Sequence, residues 1–251
     1  MNILIHHHLG IGDCFICNGL VRTVVNTNRY DKIGVISKSR NANIISYMYK
    51  DDPRICVFPI HEGSPEIPMV NSIFCSPLFR GGELLRVGFE LLRVGFDGIN
   101  RVCQEWLDQK KENFTFDVAF YENAGIDYQQ RWNAWKFVRD FEREKEVINK
   151  LNPSGDPYIF VHDDPDRGMV VNVKSNLKII RNDKTINPLD MIGIFENASE
   201  IHCMESSIKC LIDQNLQITC PKYLHIDVRP DGHGRGLCSG SKFQWIRVEG
   251  K

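Results

Sequence analysis

Apolar residues fall into short unbroken runs and longer stretches at helical spacing, and their alternation outlines the secondary structure. Runs at 3–8, 33–37, 55–59 and 72–75 read as strands, with helices predicted over 13–27 and 40–49. Strands separated by helices need crossover connections, so they lie parallel and build an open α/β sheet. Residues 83–96 then repeat Glu-Leu-Leu-Arg-Val-Gly-Phe in tandem, which reads as a local insertion at the rim of the sheet and carries no predicted chemistry.

Helical spacing returns over 99–112 (Ile99, Val102, Cys103, Trp106, Leu107) and 128–149 (Trp132, Trp135, Phe137, Val138, Phe141, Val147, Ile148). The charged run Arg139 to Lys145 in the second stretch reads as a solvated helix face. Asn152-Pro-Ser-Gly-Asp-Pro157 has the composition of a linker. It divides the chain into domains 1–152 and 153–251. Beyond it the same rhythm resumes: strand Tyr158–His162, polar turn Asp163–Gly168, strand Leu177–Arg181, helix Pro188–Asn197 and strand Glu200–Met204. Asn187 is the predicted N-cap of that helix, with proline at its first position. Glu205-Ser206-Ser207 leads into a last helix over 208–215.

The chain has 251 residues, of which 42% are hydrophobic, enough for a substantial core. A net charge of -1 leaves no electrostatic case for nucleic-acid or membrane-surface binding. The apolar run Ile3–Ile5 is too short for a signal peptide, and no stretch approaches the roughly 18 apolar residues of a transmembrane segment. The expected location is cytoplasmic. Nine cysteines without a framework spacing fit reduced thiols. Cys14 and Cys17 lack the second pair that a zinc site needs, so they read as packing residues.

The opening residues bring in chemistry. Strand Ile3–His8 runs into Leu9-Gly-Ile-Gly-Asp13, and such a strand-to-helix turn builds a crevice for a phosphorylated ligand in α/β proteins. A dinucleotide fingerprint is excluded, because Phe15 occupies the third glycine position and the next strand ends in Ser37-Lys38 without a carboxylate. No P-loop motif occurs. Asp13 is left as a carboxylate at the mouth of the crevice, with capping of the following helix as its other reading. His6, His7 and His8 alternate faces along a strand, so only His6 and His8 could converge, fewer than the three ligands that a metal site needs. His8 is expected to line the crevice. At Glu205-Ser206-Ser207 a second strand hands over to a helix through two hydroxyls, a turn with backbone N–H groups to offer a diphosphate. Ser206 reads equally as the helix N-cap.

Leu9-Gly-Ile-Gly-Asp13, together with Asn187-Pro-Leu-Asp-Met-Ile-Gly-Ile-Phe-Glu-Asn-Ala-Ser-Glu-Ile-His-Cys-Met-Glu-Ser-Ser207, resembles the GT-B superfamily of glycosyltransferases. The opening is most similar to the ADP-heptose lipopolysaccharide heptosyltransferases. The resemblance implies an α/β fold of two Rossmann-like domains facing a cleft, in a compact version, with the acceptor on the N-terminal side and a nucleotide sugar on the C-terminal side. Asp13 matches the catalytic base. Gly10 and Gly12 match the glycine loop and count among the donor contacts, and Ser206 and Ser207 match the helix start that holds the donor diphosphate. The chain departs from the family in its short length and in lacking a clear match to the loop that holds the donor's phosphates and sugar.

Glycosyl transfer needs a base for the acceptor hydroxyl and charge stabilisation on the departing diphosphate. Asp13 is the expected base. Arg167 and His162, with Glu205, Ser206 and Ser207, are the expected diphosphate contacts, and no metal cofactor is expected. Arg181, Asn182 and Asp183 follow the 177–181 strand where GT-B proteins contact base and ribose. Tyr121, Tyr128 and Trp132 are candidate platforms for a glycan or other hydroxyl acceptor, against the alternative of core packing. The glycine-rich tail His225–Gly236 is expected to be a loop bringing Arg229 or Arg235 to phosphate. Two rival readings remain: a metal-dependent GT-A enzyme using Asp164 and Asp166 as a D-x-D pair, and a non-catalytic nucleotide- or sugar-binding module.

Overall fold

The computed structural model describes residues 1–7, 9–87, 115–214, 216–228 and 240–249. The chain divides into two compact units, Met1–Val138 and Arg139–Lys251. The division precedes the proline-glycine linker, because the helix before that linker packs within the second unit. Among the described residues, no helix is long and apolar enough to cross a membrane.

The first unit is a four-stranded parallel sheet in the order β3-β2-β1-β4, from strands β1 (Asn2–His6), β2 (Lys32–Lys38), β3 (Ile55–Ile60) and β4 (Glu83–Arg86). Ile3, Leu4 and Ile5 are buried, as a central parallel strand covered on both faces requires. Leu4 packs with Leu9, Ile36, Ile60, Val70 and Phe79. Gly34 makes this possible, since a Cβ there would stand 2.6 Å from both Leu4 and Phe79 side chains.

The predicted strand at 72–75 is instead the end of helix α4 (Glu66–Phe74). Ile67, Val70, Ile73 and Phe74 recur at helical spacing, which overrides the short apolar run. The fourth strand comes from the first copy of the tandem repeat, whose Glu83–Arg86 pairs with β1 as an edge strand of the sheet rather than standing as an insertion at its rim. Its second copy and the predicted 99–112 helix lie outside the described residues.

The predicted 13–27 helix is two helices, α1 (Ile11–Ile16) and α2 (Asn18–Asn26). The Tyr121 hydroxyl donates to the Ile16 carbonyl at 2.7 Å and accepts from the Leu20 N–H at 3.1 Å. A side chain inserted into the hydrogen-bond ladder is a recognised cause of a helix break. Helix α3 (Ala42–Met48) joins β2 to β3.

The predicted 128–149 helix is also divided, following helix α5 (Phe116–Asn123), into α6 (Gln130–Asn133) and α7 (Phe141–Leu151). Asn18 holds the connecting segment extended, accepting from the Lys136 N–H at 2.9 Å and donating to the Lys136 carbonyl at 3.1 Å. Asp140 then caps α7 by accepting from the Arg143 N–H at 3.2 Å.

The second unit is a five-stranded parallel sheet, β6-β5-β7-β8-β9, from β5 (Tyr158–His162), β6 (Lys178–Arg181), β7 (Glu200–Met204), β8 (Lys222–His225) and β9 (Ile246–Val248). Helix α8 (Ile192–Glu196) follows a 3₁₀ turn whose cap is Asn187, accepting from the Leu189 N–H. Helix α7 packs on α8 at Gly193, where a Cβ would meet Glu144 at 3.0 Å and Ile148 at 3.1 Å. The charged run is therefore not a solvated face throughout. Glu144 is buried, and Arg139 forks onto it at 2.7 and 2.5 Å while reaching Glu196 at 2.7 Å. Helix α9 (Ser207–Ile212) completes the unit.

Candidate functional site

In both sheets the chain reverses its direction of travel beside the first strand. After β1 it builds outward to β2 and β3 and then returns to place β4 on the other side of β1; after β5 it builds β6 and returns to β7. Ligands of open α/β sheets sit outside the carboxyl ends of the strands flanking such a reversal. These ends carry the loops that the sequence singles out.

In the first unit, Gly10 is the N-cap of α1 with φ -62° and ψ 143°, and the Cys14 N–H bonds its carbonyl at 3.0 Å. Gly10 and Gly12 thus serve the strand-to-helix turn without needing the left-handed region. Asp13 lies half-buried inside the first turn and is not the helix cap. A carboxylate there is favoured by the exposed N–H groups of the helix start. Cys14 and Cys17 are buried, and burial followed by the Asp13 charge pushes both thiols up, which suits packing rather than reactivity. His8 lies outside the described residues.

Three side chains to which the sequence reading gave no role meet at the same edge. His6, the last residue of β1, is fully buried with Nε2 at 3.0 Å from Glu66 Oε1, and Lys38, the last residue of β2, places Nζ 3.3 Å from Glu66 Oε2. Glu66 comes from the first turn of α4. Burial raises its pKa, but the His6 hydrogen bond and the His6 and Lys38 charges outweigh burial and hold the carboxyl below its ordinary value. Arg86, the last residue of β4, donates to Asn71. These residues are far apart in sequence, so only strand register could reveal them.

Of the three aromatic candidates, Tyr121 is fully buried with its hydroxyl committed to the α1–α2 break, which leaves no ring face for a sugar. Tyr128 is half-buried, donates to Asp117 at 2.6 Å and meets the edge of the half-buried Trp132 at 5.1 Å between centroids. Arg131 and Asp117 form a fully buried ion pair beneath them.

In the second unit, His162 ends β5, next to β7. Burial pushes its pKa down to about 4, against the Asn182 hydrogen bond and the Asp163 and Asp164 charges. The ring is therefore neutral near pH 7, with one ring N–H left as a donor. Asp163 accepts from the Val171 N–H at 3.1 Å and pairs with Arg181, while its own N–H donates to Asn182 at 3.0 Å. Asp164 pairs with Arg167, and Lys184 bridges Asp164 and Asp166 at 2.6 Å each. Gly168, at φ 73°, closes this turn in the left-handed region. Asp183 is held down to about 2 by Thr185 hydrogen bonds first and by Lys150, which lies 2.9 Å away. The Arg181 and Arg167 side chains retain 41% and 67% exposure, so their remaining N–H groups stay accessible.

Ser206 caps α9, its Oγ accepting from the Lys209 N–H at 3.3 Å, and Ser207 is the first helical residue. Behind this turn Lys209 is fully buried, 3.6 Å from Glu205 and 2.9 Å from Asp213. Burial disfavours the ammonium, yet Asp213 and Glu205 outweigh it and raise its pKa. Asp213 also accepts from the Trp245 indole at 2.8 Å and from the Ser241 hydroxyl. The spacing of Glu205, Lys209 and Asp213, four residues apart each time, was a legible signal of one helix face. Arg229 and Arg235 lie outside the described residues. Among the described residues, no group of three or more His, Cys, Asp or Glu side chains is placed to hold a metal ion.

No protein-family profile matches the chain, and no curated protein matches it in sequence. Among solved structures it is similar to the glycosyl transferase family 9 protein from Veillonella parvula, with a TM-score of 0.55 at 9% identity over 99% of this chain and 86% of that one. It is also similar to ADP-heptose LPS heptosyltransferase II of E. coli, with a TM-score of 0.53 at 11% identity over 90% of this chain and 84% of that one. At such identity the likeness is one of fold. The chain has the heptosyltransferase-like GT-B fold, with two Rossmann-like α/β units.

Proposed function

We propose that this protein is a glycosyltransferase that moves a sugar from a nucleoside-diphosphate donor to a hydroxyl of a glycan or other acceptor, the first unit serving the acceptor and the second the donor. The observation that carries the reading is the position of the two predicted loops. In a fold shared with solved glycosyltransferases, Asp13 and the Ser206–Ser207 turn each lie at the carboxyl edge of a parallel sheet, beside the reversal of strand order.

Asp13 takes the proton of the acceptor hydroxyl as it attacks the anomeric carbon. A positioned general base contributes about 10²–10⁴-fold. The departing diphosphate is met by the Ser206 and Ser207 turn and by the accessible N–H groups of Arg167 and Arg181. Each well-placed donor of this kind is worth about 3–4 kcal/mol in the transition state. His162, neutral, suits an uncharged hydroxyl better than a phosphate. A metal-free mechanism is supported by Lys184, which already places a cation between Asp164 and Asp166, the pair that a metal-dependent enzyme would use.

The test is a thermal-shift screen of the full chain against nucleoside-diphosphate sugars. A true donor present at about 100 times its dissociation constant adds about 2.7 kcal/mol of stability. Stabilisation by one donor class, followed by sugar transfer that survives EDTA, is the expected result. A chain that binds no donor is not a transferase.

A further inference from the structure

The cluster of His6, Glu66 and Lys38 is used by nothing in the mechanism above, yet it occupies the carboxyl edge of the first sheet. Strand β1 ends in His6 and the neighbouring β2 ends in Lys38, so parallel register alone brings the two side chains to one edge. Helix α4 adds Glu66 from its first turn, where a carboxylate is stabilised by the helix start. His6 is sealed in the core, while Glu66 keeps 27% and Lys38 13% of its side chain exposed. Only these two can meet a ligand. His6 acts from below, as a donor fixing one carboxylate oxygen.

We propose that Glu66 and Lys38 form an acceptor subsite for two neighbouring hydroxyls of a neutral sugar. The inference rests on the reading of the first unit as the acceptor side. The chemistry follows from the donor and acceptor count. A carboxylate oxygen that already accepts one hydrogen bond keeps a second lone pair, and an ammonium bonded to one carboxylate keeps two N–H groups. Side by side, these offer acceptor sites and donor sites within a few ångströms. A hydroxyl both donates and accepts, so a vicinal diol satisfies the pair, each hydroxyl donating to Glu66 while one accepts from Lys38. Charge selects the same ligand. A carboxylate or phosphate approaching Lys38 would meet the Glu66 carboxylate beside it. Without Glu66, Lys38 would be an ordinary anion site.

Ligand-observed NMR on the full chain tests this with neutral sugars bearing vicinal hydroxyls, their deoxy counterparts lacking one of the two, and a sugar acid. Binding of the vicinal diol is expected, with the deoxy sugar and the sugar acid each weaker by about tenfold or more. Glu66→Gln and Lys38→Met should each weaken the diol by about tenfold while the affinity for the nucleoside-diphosphate donor changes by less than about twofold. A purely structural ion pair would leave sugar binding intact in any variant that still melts cooperatively; should Glu66→Gln not fold, Lys38→Met carries the test. Wild-type sugar affinity in the folded variants, preference for the sugar acid, or donor binding without any sugar binding each overturns the proposal. Diol binding by a chain that takes no donor supports the subsite and removes the transferase reading. Binding of neither ligand removes both.

Discussion

The Tyr121 hydroxyl occupies the place of the helical hydrogen bond between Leu20 and Ile16, donating to the Ile16 carbonyl at 2.7 Å and accepting from the Leu20 N–H at 3.1 Å. A ring from α5 thereby sets the direction change between α1, which carries Asp13, and α2, which packs against α6. The side chain proposed from sequence as a sugar platform instead shapes the helix behind the site.

Tyr121→Phe removes both hydrogen bonds from a fully buried position. Leaving buried donors and acceptors unmet costs about 1–3 kcal/mol each, less whatever closure of the ladder recovers. The expected result is a lower urea midpoint with an unchanged slope. A midpoint equal to wild type would show that the inserted hydroxyl does not hold the break.

Gly19 lies where α2 touches α6, and a Cβ there would stand 2.2 Å from the Gln130 carbonyl oxygen and 2.9 Å from the Arg131 Cα. Both obstacles are backbone, so no side chain can turn aside. Gly19→Ala is expected to cost about 1–3 kcal/mol by overpacking, in spite of alanine's better helix propensity. Thermal melting decides it, since propensity alone would raise the melting temperature.

Lys209 neutralises two carboxylates in a buried setting. Lys209→Met leaves Glu205 and Asp213 without their cation, and breaking a buried pair in this way costs about 3–5 kcal/mol. Denaturant unfolding should show the loss in the second unit's transition. A neutral outcome would mean that water reaches these carboxylates.

His162 makes stability depend on pH. Its pKa is depressed from 6.5 to about 4 in the folded state, so between these values the unfolded chain binds the extra proton. Stability from this group is fully present above about pH 6.5 and is lost as the pH falls toward 4. The whole effect is on the order of 3 kcal/mol. His225, also pushed down to about 4 by burial and by His202, adds loss in the same window. Comparing urea midpoints at pH 7.5 and 4.5 for wild type and His162→Gln checks the assignment. An unchanged pH slope in the variant would place the dependence elsewhere.

Asp13→Asn keeps the shape of the side chain and removes its basicity. Transfer is expected to fall by about 10²–10⁴-fold with donor affinity preserved. Measuring the initial transfer rate and donor binding in parallel separates a base from a binding residue.

Local pattern made much of the fold legible. Strand Tyr158–His162 stands where the apolar run Tyr158–Val161 places it, because a parallel strand buried on both faces favours apolar side chains throughout. The cap at Asn187 and the hydroxyl at Ser206 were likewise readable, since capping depends on a residue and its near neighbours. The errors came where a distant group competed with a local preference. Residues 128–149 look continuous in helical period, yet Asn18 pins the backbone of Lys136 and interrupts them.

The candidate site divides along the same line. Strand-to-helix turns at Asp13 and Ser206 announce themselves through contiguous residues, and so did the α/β class, whereas the two Rossmann-like units were implied by the family resemblance. The meeting of His6, Lys38 and Glu66, the bridging of Asp164 and Asp166 by Lys184, and the neutrality of His162 depend on burial and on which strand ends lie side by side. Period and propensity act over a few residues, whereas desolvation and charge pairing act through space, so those features exist only once the chain is packed.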